Sequence, residues 1–333
     1  MRYNNILEAI GRTPLVKLNR IVGECKAPVY AKCDYLNPGG SVKDRIGIAM
    51  IEEAERQGLL RPGGTIVEDT SGNTGIGLAL VAAVKGYRAI VTMTEKQSKE
   101  KVDALQALGA EVVICPTDVP PGDPRSLYSM AEKLTREIPN AYHPNQYFNP
   151  AHPDAHYRTT GPEIWEDSEG LITHFVCGMG TGGTITGIAR YLKEKNPHVK
   201  IIGVDPVGSL LYEFFHRGTI GKAETYQVEG IGEDIFPATL DFSLLDDVLQ
   251  VSDKEAFLWA RRLARGEGIF AGGSAGSALA AAMRIVPALT EKDFLVVFIP
   301  DTGNRYLRKL YDDQWMRDHE YLEPPGAAAA DEV

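Results

Sequence analysis

Lys43 stands between the turn Pro38-Gly39-Gly40 and the run Arg45-Ile46-Gly47-Ile48-Ala49-Met50-Ile51, whose apolar spacing is that of a helix. An ammonium at a helix N-terminus meets the positive end of the macrodipole, and burial would add to the preference for the neutral amine. A neutral amine is a nucleophile. It can form a Schiff base with an aldehyde and, once displaced, serve as a general base. A solvated lysine in a first helical turn fits the local sequence equally well, so the chemical reading depends on what the rest of the chain supplies.

Three further loops have types and spacing suited to chemistry. The apolar strand Gly64-Thr65-Ile66-Val67-Glu68 runs into Thr70-Ser71-Gly72-Asn73-Thr74-Gly75, and a small-residue helix follows from Ile76 to Lys85. Backbone N–H groups and hydroxyls at such a helix start suit a carboxylate or a phosphate, although a good N-cap uses the same residues. Thr173 to Cys177 is a strand that leads into Gly178-Met179-Gly180-Thr181-Gly182-Gly183-Thr184, with a helix from Ile185 to Lys195 and Asp205 closing the next strand. That pattern matches a dinucleotide fingerprint and predicts a dehydrogenase; it also matches a cup for one phosphate monoester, and loop chemistry alone leaves both open. The last loop is Gly272-Gly273-Ser274-Ala275-Gly276-Ser277, opening an alanine-rich helix.

The elements that must position these loops alternate strand and helix along most of the chain, which predicts an α/β architecture with parallel, doubly wound sheets. Asn145 to Pro150 interrupts the alternation and reads as a crossover between two domains. A length of 333 residues, 44% of them hydrophobic, is enough for two such cores. A net charge of −10 argues against a nucleic-acid groove or an anionic membrane surface. The N-terminal residues lack a signal pattern, and no apolar run approaches the roughly 18 residues of a membrane span, so a cytoplasmic protein is expected. Cys25, Cys33, Cys115 and Cys177 are scattered and form no metal-ligand spacing; reduced structural thiols and no metal site are expected. The Pro- and Ala-rich tail, 323–333, reads as disordered.

In combination and order, the lysine loop, Thr-Ser-Gly-Asn-Thr-Gly, Gly-Thr-Gly-Gly-Thr and Gly-Gly-Ser-Ala-Gly-Ser resemble the fold-type-II pyridoxal 5'-phosphate (PLP) enzymes of the cysteine synthase and cystathionine beta-synthase family. Glu95-Lys96 with Lys101-Val102-Asp103, the stretch Ala155 to Thr160, and Glu229-Gly230-Ile231-Gly232-Glu233-Asp234 are closer to the cystathionine beta-synthase branch. The resemblance implies a tryptophan synthase beta-like fold. Residues 1–44 and 149–322 would form the larger, phosphate-binding domain, and residues 45–148 a smaller mobile one. It implies that Lys43 carries PLP, that Asn73 bonds the cofactor's phenolic oxygen, and that Gly180, Thr181, Gly182, Gly183 and Thr184 cradle its phosphate. Ser274 would face the pyridine nitrogen. Thr70, Ser71, Gly72, Thr74 and Gln146 would hold the substrate carboxylate. The implied reaction is beta-replacement, joining L-serine to L-homocysteine to give L-cystathionine, with O-acetylserine and sulfide as the alternative pair. Glu229 and Glu233 are expected at the second substrate's entrance. A homodimer is implied, and neither haem nor appended regulatory modules are expected.

Overall fold

A computed structural model describes residues 2–70 and 72–323; Ser71, one of the expected carboxylate ligands, and residues 324–333 of the expected disordered tail lie outside the described residues. In chain order the elements are β1 (Leu15–Lys17), β2 (Val29–Cys33), α1 (Lys43–Arg56), β3 (Thr65–Asp69), α2 (Asn73–Lys85), β4 (Arg88–Thr94), α3 (Lys99–Ala107), β5 (Glu111–Cys115), α4 (Leu127–Glu137) and β6 (Ala141–Tyr142). They continue with α5 (Ala151–Arg158), α6 (Thr160–Asp167), β7 (His174–Gly178), α7 (Gly183–Lys195), β8 (Lys200–Pro206), α8 (Leu211–Arg217), β9 (Asp247–Val251), α9 (Asp253–Glu267), α10 (Gly273–Ile285), β10 (Leu295–Ile299) and α11 (Asp313–Asp318).

The strands form two sheets, six-stranded β1-β2-β10-β7-β8-β9 and four-stranded β5-β4-β3-β6. Only β1 is antiparallel to its neighbour; every other pairing is parallel, as βαβ crossovers require. The fold is thus α/β with mostly parallel sheets, as the alternation predicted. Central strand β10 (Leu-Val-Val-Phe-Ile) is buried along its whole length, which explains its lack of a polar face; β3 is buried throughout as well, and its Glu68 and Asp69 are partnered by the Asn145 and Gln146 N–H groups and by His143. Between the sheets run helices made of small residues, because only these let backbones approach closely. On α10, a Cβ at Gly276 would come within 1.9 Å of the Ala256 carbonyl oxygen of α9.

Several elements, α5, α6 and β9 among them, have no counterpart in the sequence reading. Residues 151–167 carry α5 and α6, which are hidden from a periodicity reading because their buried face includes His152, His156 and Thr160. β9 is a half-buried edge strand whose short mixed pattern gives little signal.

The carboxyl ends of β2, β3 and β7 each feed one of the loops; the Gly272–Ser277 loop follows α9 instead and is tied to the segment after β10 by the Ala271–Thr302 bridge. Lys43 opens α1, and its start is fixed to β10 by the Val42 N–H donating to the Pro300 carbonyl at 2.8 Å and by the Ser41–Asp301 bridge. α1 then packs on α2 through facing glycines: a Cβ on Gly47 would lie 2.8 Å from the Gly77 carbonyl carbon, and one on Gly77 2.7 Å from the Lys43 carbonyl oxygen. Gly77→Ala should therefore push α2 off the first turn of α1, lowering stability by about 1–3 kcal/mol. Urea unfolding should show a lower midpoint with an unchanged slope.

Candidate active site

Lys43 is held by its neighbours rather than by bonds to its own amine. Asp44 accepts the Gly39 N–H at 2.5 Å, and Arg45 makes paired bonds to Asp34 (2.7 and 2.9 Å) and to Glu163 (both 2.7 Å). The flanking charges are thereby drawn away from the lysine, leaving its side chain to enter the space between the sheets. Burial pushes the Lys43 ammonium below its usual range, against the attraction of Cys177, Asp301, Glu233 and Asp34. Burial also pushes the Cys177 thiol up to about 12, so the amine is the nucleophile here and the thiol is inert.

The side chain of Lys43 borders two spaces. One is a cleft of about 460 Å³ whose walls include Thr70, Asn73, Thr74, Gln146, Thr181, Glu229, Glu233 and Ser274. The other is a recess of about 30 Å³ behind it, bounded by Cys177, Gly178, Gly180, Thr181, Gly182 and Thr184. A recess of that size takes one small anion and not a dinucleotide, whose sites run to several hundred Å³.

The recess is built by the turn from β7 into the thirteen-residue α7, whose first N–H groups lack helical partners. Gly182 sits at φ +81 with its missing side chain filled by Leu240, whose Cβ lies 2.3 Å from an ideal Gly182 Cβ. Gly183 presses on the His152 ring and lies behind the recess rather than on its wall. The Thr181 carbonyl accepts from the Thr239 hydroxyl, and Thr184 Oγ1 lies 3.2 Å from His156 Nε2. Burial holds His156 well below the usual histidine range, so this ring is neutral and the recess gains no cation from it. Asp205, the acid that the dehydrogenase reading needs, is spent elsewhere. It is fully buried and accepts the Tyr212 N–H at 2.9 Å at the start of α8.

On the opposite wall, β3 delivers the expected carboxylate loop. Thr74 donates to Gln146 Oε1 at 2.5 Å, and the Gln146 backbone N–H is held by Glu68 at 3.0 Å. Thr70 Oγ1 accepts the Gly72 N–H at 3.1 Å. Gly72 turns the chain at φ +118 and rests on the stem of Lys101; it is not on the cleft wall. Asn73 donates to Asp301 Oδ2 at 2.8 Å while its carbonyl oxygen accepts from Arg305. Both ends of the amide are thus fixed, leaving one N–H to point elsewhere. Ser274 lies buried in the first turn of α10, on the cleft wall.

Sequence reasoning missed the residues that orient Asn73. Asp301 also accepts from Tyr306 at 2.6 Å, and Arg305 reaches the Gly39 carbonyl of the lysine loop. The available signal was Pro300-Asp301 directly after an apolar parallel strand, the position where such sheets place functional groups. The two acids of the 229–234 loop separate in role. Against burial, which would raise it, the charges of Lys101 and Lys309 hold Glu229 below the usual carboxylate range. Burial and Asp234 push Glu233 well above that range, with Lys43 as its nearest opposing charge.

A buried amine, an anion recess behind it and a carboxylate-type loop before it define an α/β enzyme built to hold a small phosphorylated aldehyde. A model of the pyridoxal-phosphate dependent enzyme family matches residues 6–301, and the chain belongs to that family. It is 48% identical over 322 residues to cystathionine beta-synthase of Apis mellifera, covering 96% of this chain and 64% of that protein. It is 50% identical over 321 residues to cystathionine beta-synthase of Oryctolagus cuniculus, covering 96% and 58%. The chain therefore spans about three fifths of the length of these curated relatives. Among solved structures, the O-acetylserine dependent cystathionine beta-synthase of Helicobacter pylori superposes with a TM-score of 0.85 at 39% identity, over 93% of this chain and 98% of that one. A hydrogen sulfide-producing enzyme of Fusobacterium nucleatum gives 0.85 at 38%, over 92% and 100%. Among the described residues no helix is long and apolar enough to cross a membrane, and no His/Cys/Asp/Glu cluster could hold a metal ion.

Asp205 also gives a testable sign. Burial pushes its carboxyl up to about 7, above its unfolded value, so folding takes up a proton there. Its contribution is complete below the unfolded pKa and fades as pH rises through 7. Asp205→Asn, which mimics the protonated acid, should match the native protein in stability only below the unfolded pKa of 3.8, gain on it as pH rises from there to about 7, and keep a constant advantage above that. Urea midpoints across that range check this.

Proposed function

We propose that this protein catalyses PLP-dependent beta-replacement, condensing L-serine with L-homocysteine to L-cystathionine. The observation that carries the reading is the buried Lys43 amine, its ammonium weakened by burial, bordering both the anion recess and the Thr/Asn-lined cleft. The names of the curated relatives support the reaction. In this reading residues 1–44 and 149–322 form the phosphate-binding domain and residues 45–148 the mobile one, in a cytoplasmic homodimer.

Gly180 to Thr184 would hold the cofactor's phosphate, with Gly183 contributing backbone alone. Asn73 would donate its remaining N–H to the phenolic oxygen, and Ser274 would meet the ring nitrogen. When bound, PLP withdraws electrons from the substrate's Cα and so makes its proton removable. Ser274, being neutral, does not keep the ring nitrogen protonated, which favours elimination at Cβ over transfer of the amino group.

Thr70, Thr74 and Gln146 would bind and orient the substrate carboxylate. Lys43, displaced by the incoming substrate amine, is uncharged and able to accept the Cα proton at Nζ. It then delivers a proton to the departing serine hydroxyl, because hydroxide leaves poorly without general-acid help. Lys43, a free amine again, takes the proton of the second substrate's thiol, and after the thiolate sulfur adds at Cβ it delivers that proton to Cα. Exclusion of water by the opposed walls would protect the reacting carbon between these events.

Lys43→Ala should abolish turnover, and tryptic mapping after borohydride treatment should find no cofactor-modified peptide; undiminished activity would overturn the assignment. The substrate pair has a separate test, because the Helicobacter pylori neighbour is O-acetylserine dependent. Serine with homocysteine should yield cystathionine faster than O-acetylserine with sulfide yields cysteine. A clear preference for the second pair would make the protein a cysteine synthase.

A further inference from the structure

The 229–234 loop and the carboxylate loop meet through a buried charge cluster that the proposed chemistry does not use. Lys101, on α3 beside the four-stranded sheet, is fully buried, and lysines are almost never so unless paired. Its ammonium lies 2.5 Å from Glu229 Oε2 and 5.1 Å from the centre of the Tyr306 ring. Lys309, which follows β10, takes the other carboxylate oxygen, Oε1, at 2.5 Å and also donates to the Lys96 carbonyl at 3.1 Å. The cluster thus joins elements of both sheets across the mouth of the cleft. The stem of Lys101 is the floor beneath Gly72: an ideal Cβ there would lie 2.8 Å from Lys101 Cδ, 3.1 Å from Cβ and 3.2 Å from Cγ. Tyr306, under the same ammonium, bonds Asp301, which in turn holds Asn73. A shift of Lys101 would therefore be felt at both ends of the loop.

We propose that Glu229, gripped between Lys101 and Lys309, is a positioning residue that fixes Gly72, Asn73 and Thr74 against the cleft by pinning Lys101 beneath Gly72. The cluster is electrostatic in origin: removing Glu229 leaves a buried lysine without its counter-charge, and removing Lys309 weakens Glu229's hold on the loop. The clamp rests on the beta-replacement reading only for its kinetic measurement.

The test uses Glu229→Gln, Lys309→Met and Lys309→Arg as PLP-loaded proteins. Hydrogen exchange without substrate should show the amides of residues 72–76 opening at least about tenfold faster in the first two variants, with β10 unchanged. The KM for the first amino-acid substrate should rise about tenfold while kcat stays within about threefold, a division that a general loss of stability does not produce. Lys309→Arg keeps charge and reach and should restore both values. Unchanged exchange in Glu229→Gln and Lys309→Met would overturn the clamp, as would Lys309→Arg behaving like Lys309→Met. If Glu229→Gln fails to fold, the Lys309 pair decides. Absence of turnover in the native protein would count against the proposed reaction while exchange still decides the clamp.

Discussion

One constraint governs the molecule: an amine must be buried deeply enough to weaken its ammonium while remaining open to a ligand on two sides. Burial alone would favour any neutral group at that spot, and nearby carboxylates would restore the charge. The fold resolves this by occupying the neighbours. Asp34 and Glu163 are committed to Arg45 and Lys32, Asp301 serves Asn73 and Tyr306, and Glu233 is itself pushed toward the neutral acid. Lys43 is left with diffuse attraction and no strong partner, so desolvation prevails.

The same constraint explains why the backbone around Lys43 is so tightly determined. An amine without a close ionic partner is not aimed by a salt bridge, so its aim has to come from geometry. The Val42 to Pro300 hydrogen bond and the Gly47–Gly77 contact place the first turn of α1 between β10 and α2. Through α2 that contact also sets the start of the helix that bears Asn73 and Thr74. Lysine and carboxylate loop are consequently positioned against each other, although they belong to opposite sides of the cleft.

Much of this was legible in the sequence wherever one short segment carries its own signal. Strand, glycine-bearing loop and small-residue helix follow one another at Gly64–Lys85, at Thr173–Lys195 and around Lys43, and the structure brings all three loops together. What was not legible depends on pairs far apart in the chain. Arg305 reaches Asn73, Lys101 reaches Glu229, and Arg45 reaches Glu163; each side chain reads locally as an ordinary surface charge. Glu229 and Glu233 look alike in sequence, and only the two lysines around Glu229 distinguish them. Asp205 misled in the other direction, because its spacing suits a ribose ligand while its position beneath α8 makes it a buried cap. Gly72 and Gly183 each have a packing reason to be glycine, against Lys101 and His152, that their local sequence does not reveal.

The distribution of fixed charge across the cleft carries a consequence for the order of binding. The recess offers backbone N–H groups and hydroxyls but no cation from its histidines, since His156 is neutral and His152 is lowered to about 3, and the Lys43 ammonium at its edge is weakened by burial. A phosphate there is held by directed dipoles, which discriminate by shape and reach and lose little to salt. The outer mouth, by contrast, carries Lys96 and Lys309 beside Glu229, charges that act over distance on an approaching zwitterion. The group that stays is thus received by geometry, and the groups that come and go are met first by charge. In the proposed reaction this separation would let one cleft retain its cofactor firmly while amino acids exchange at every turnover.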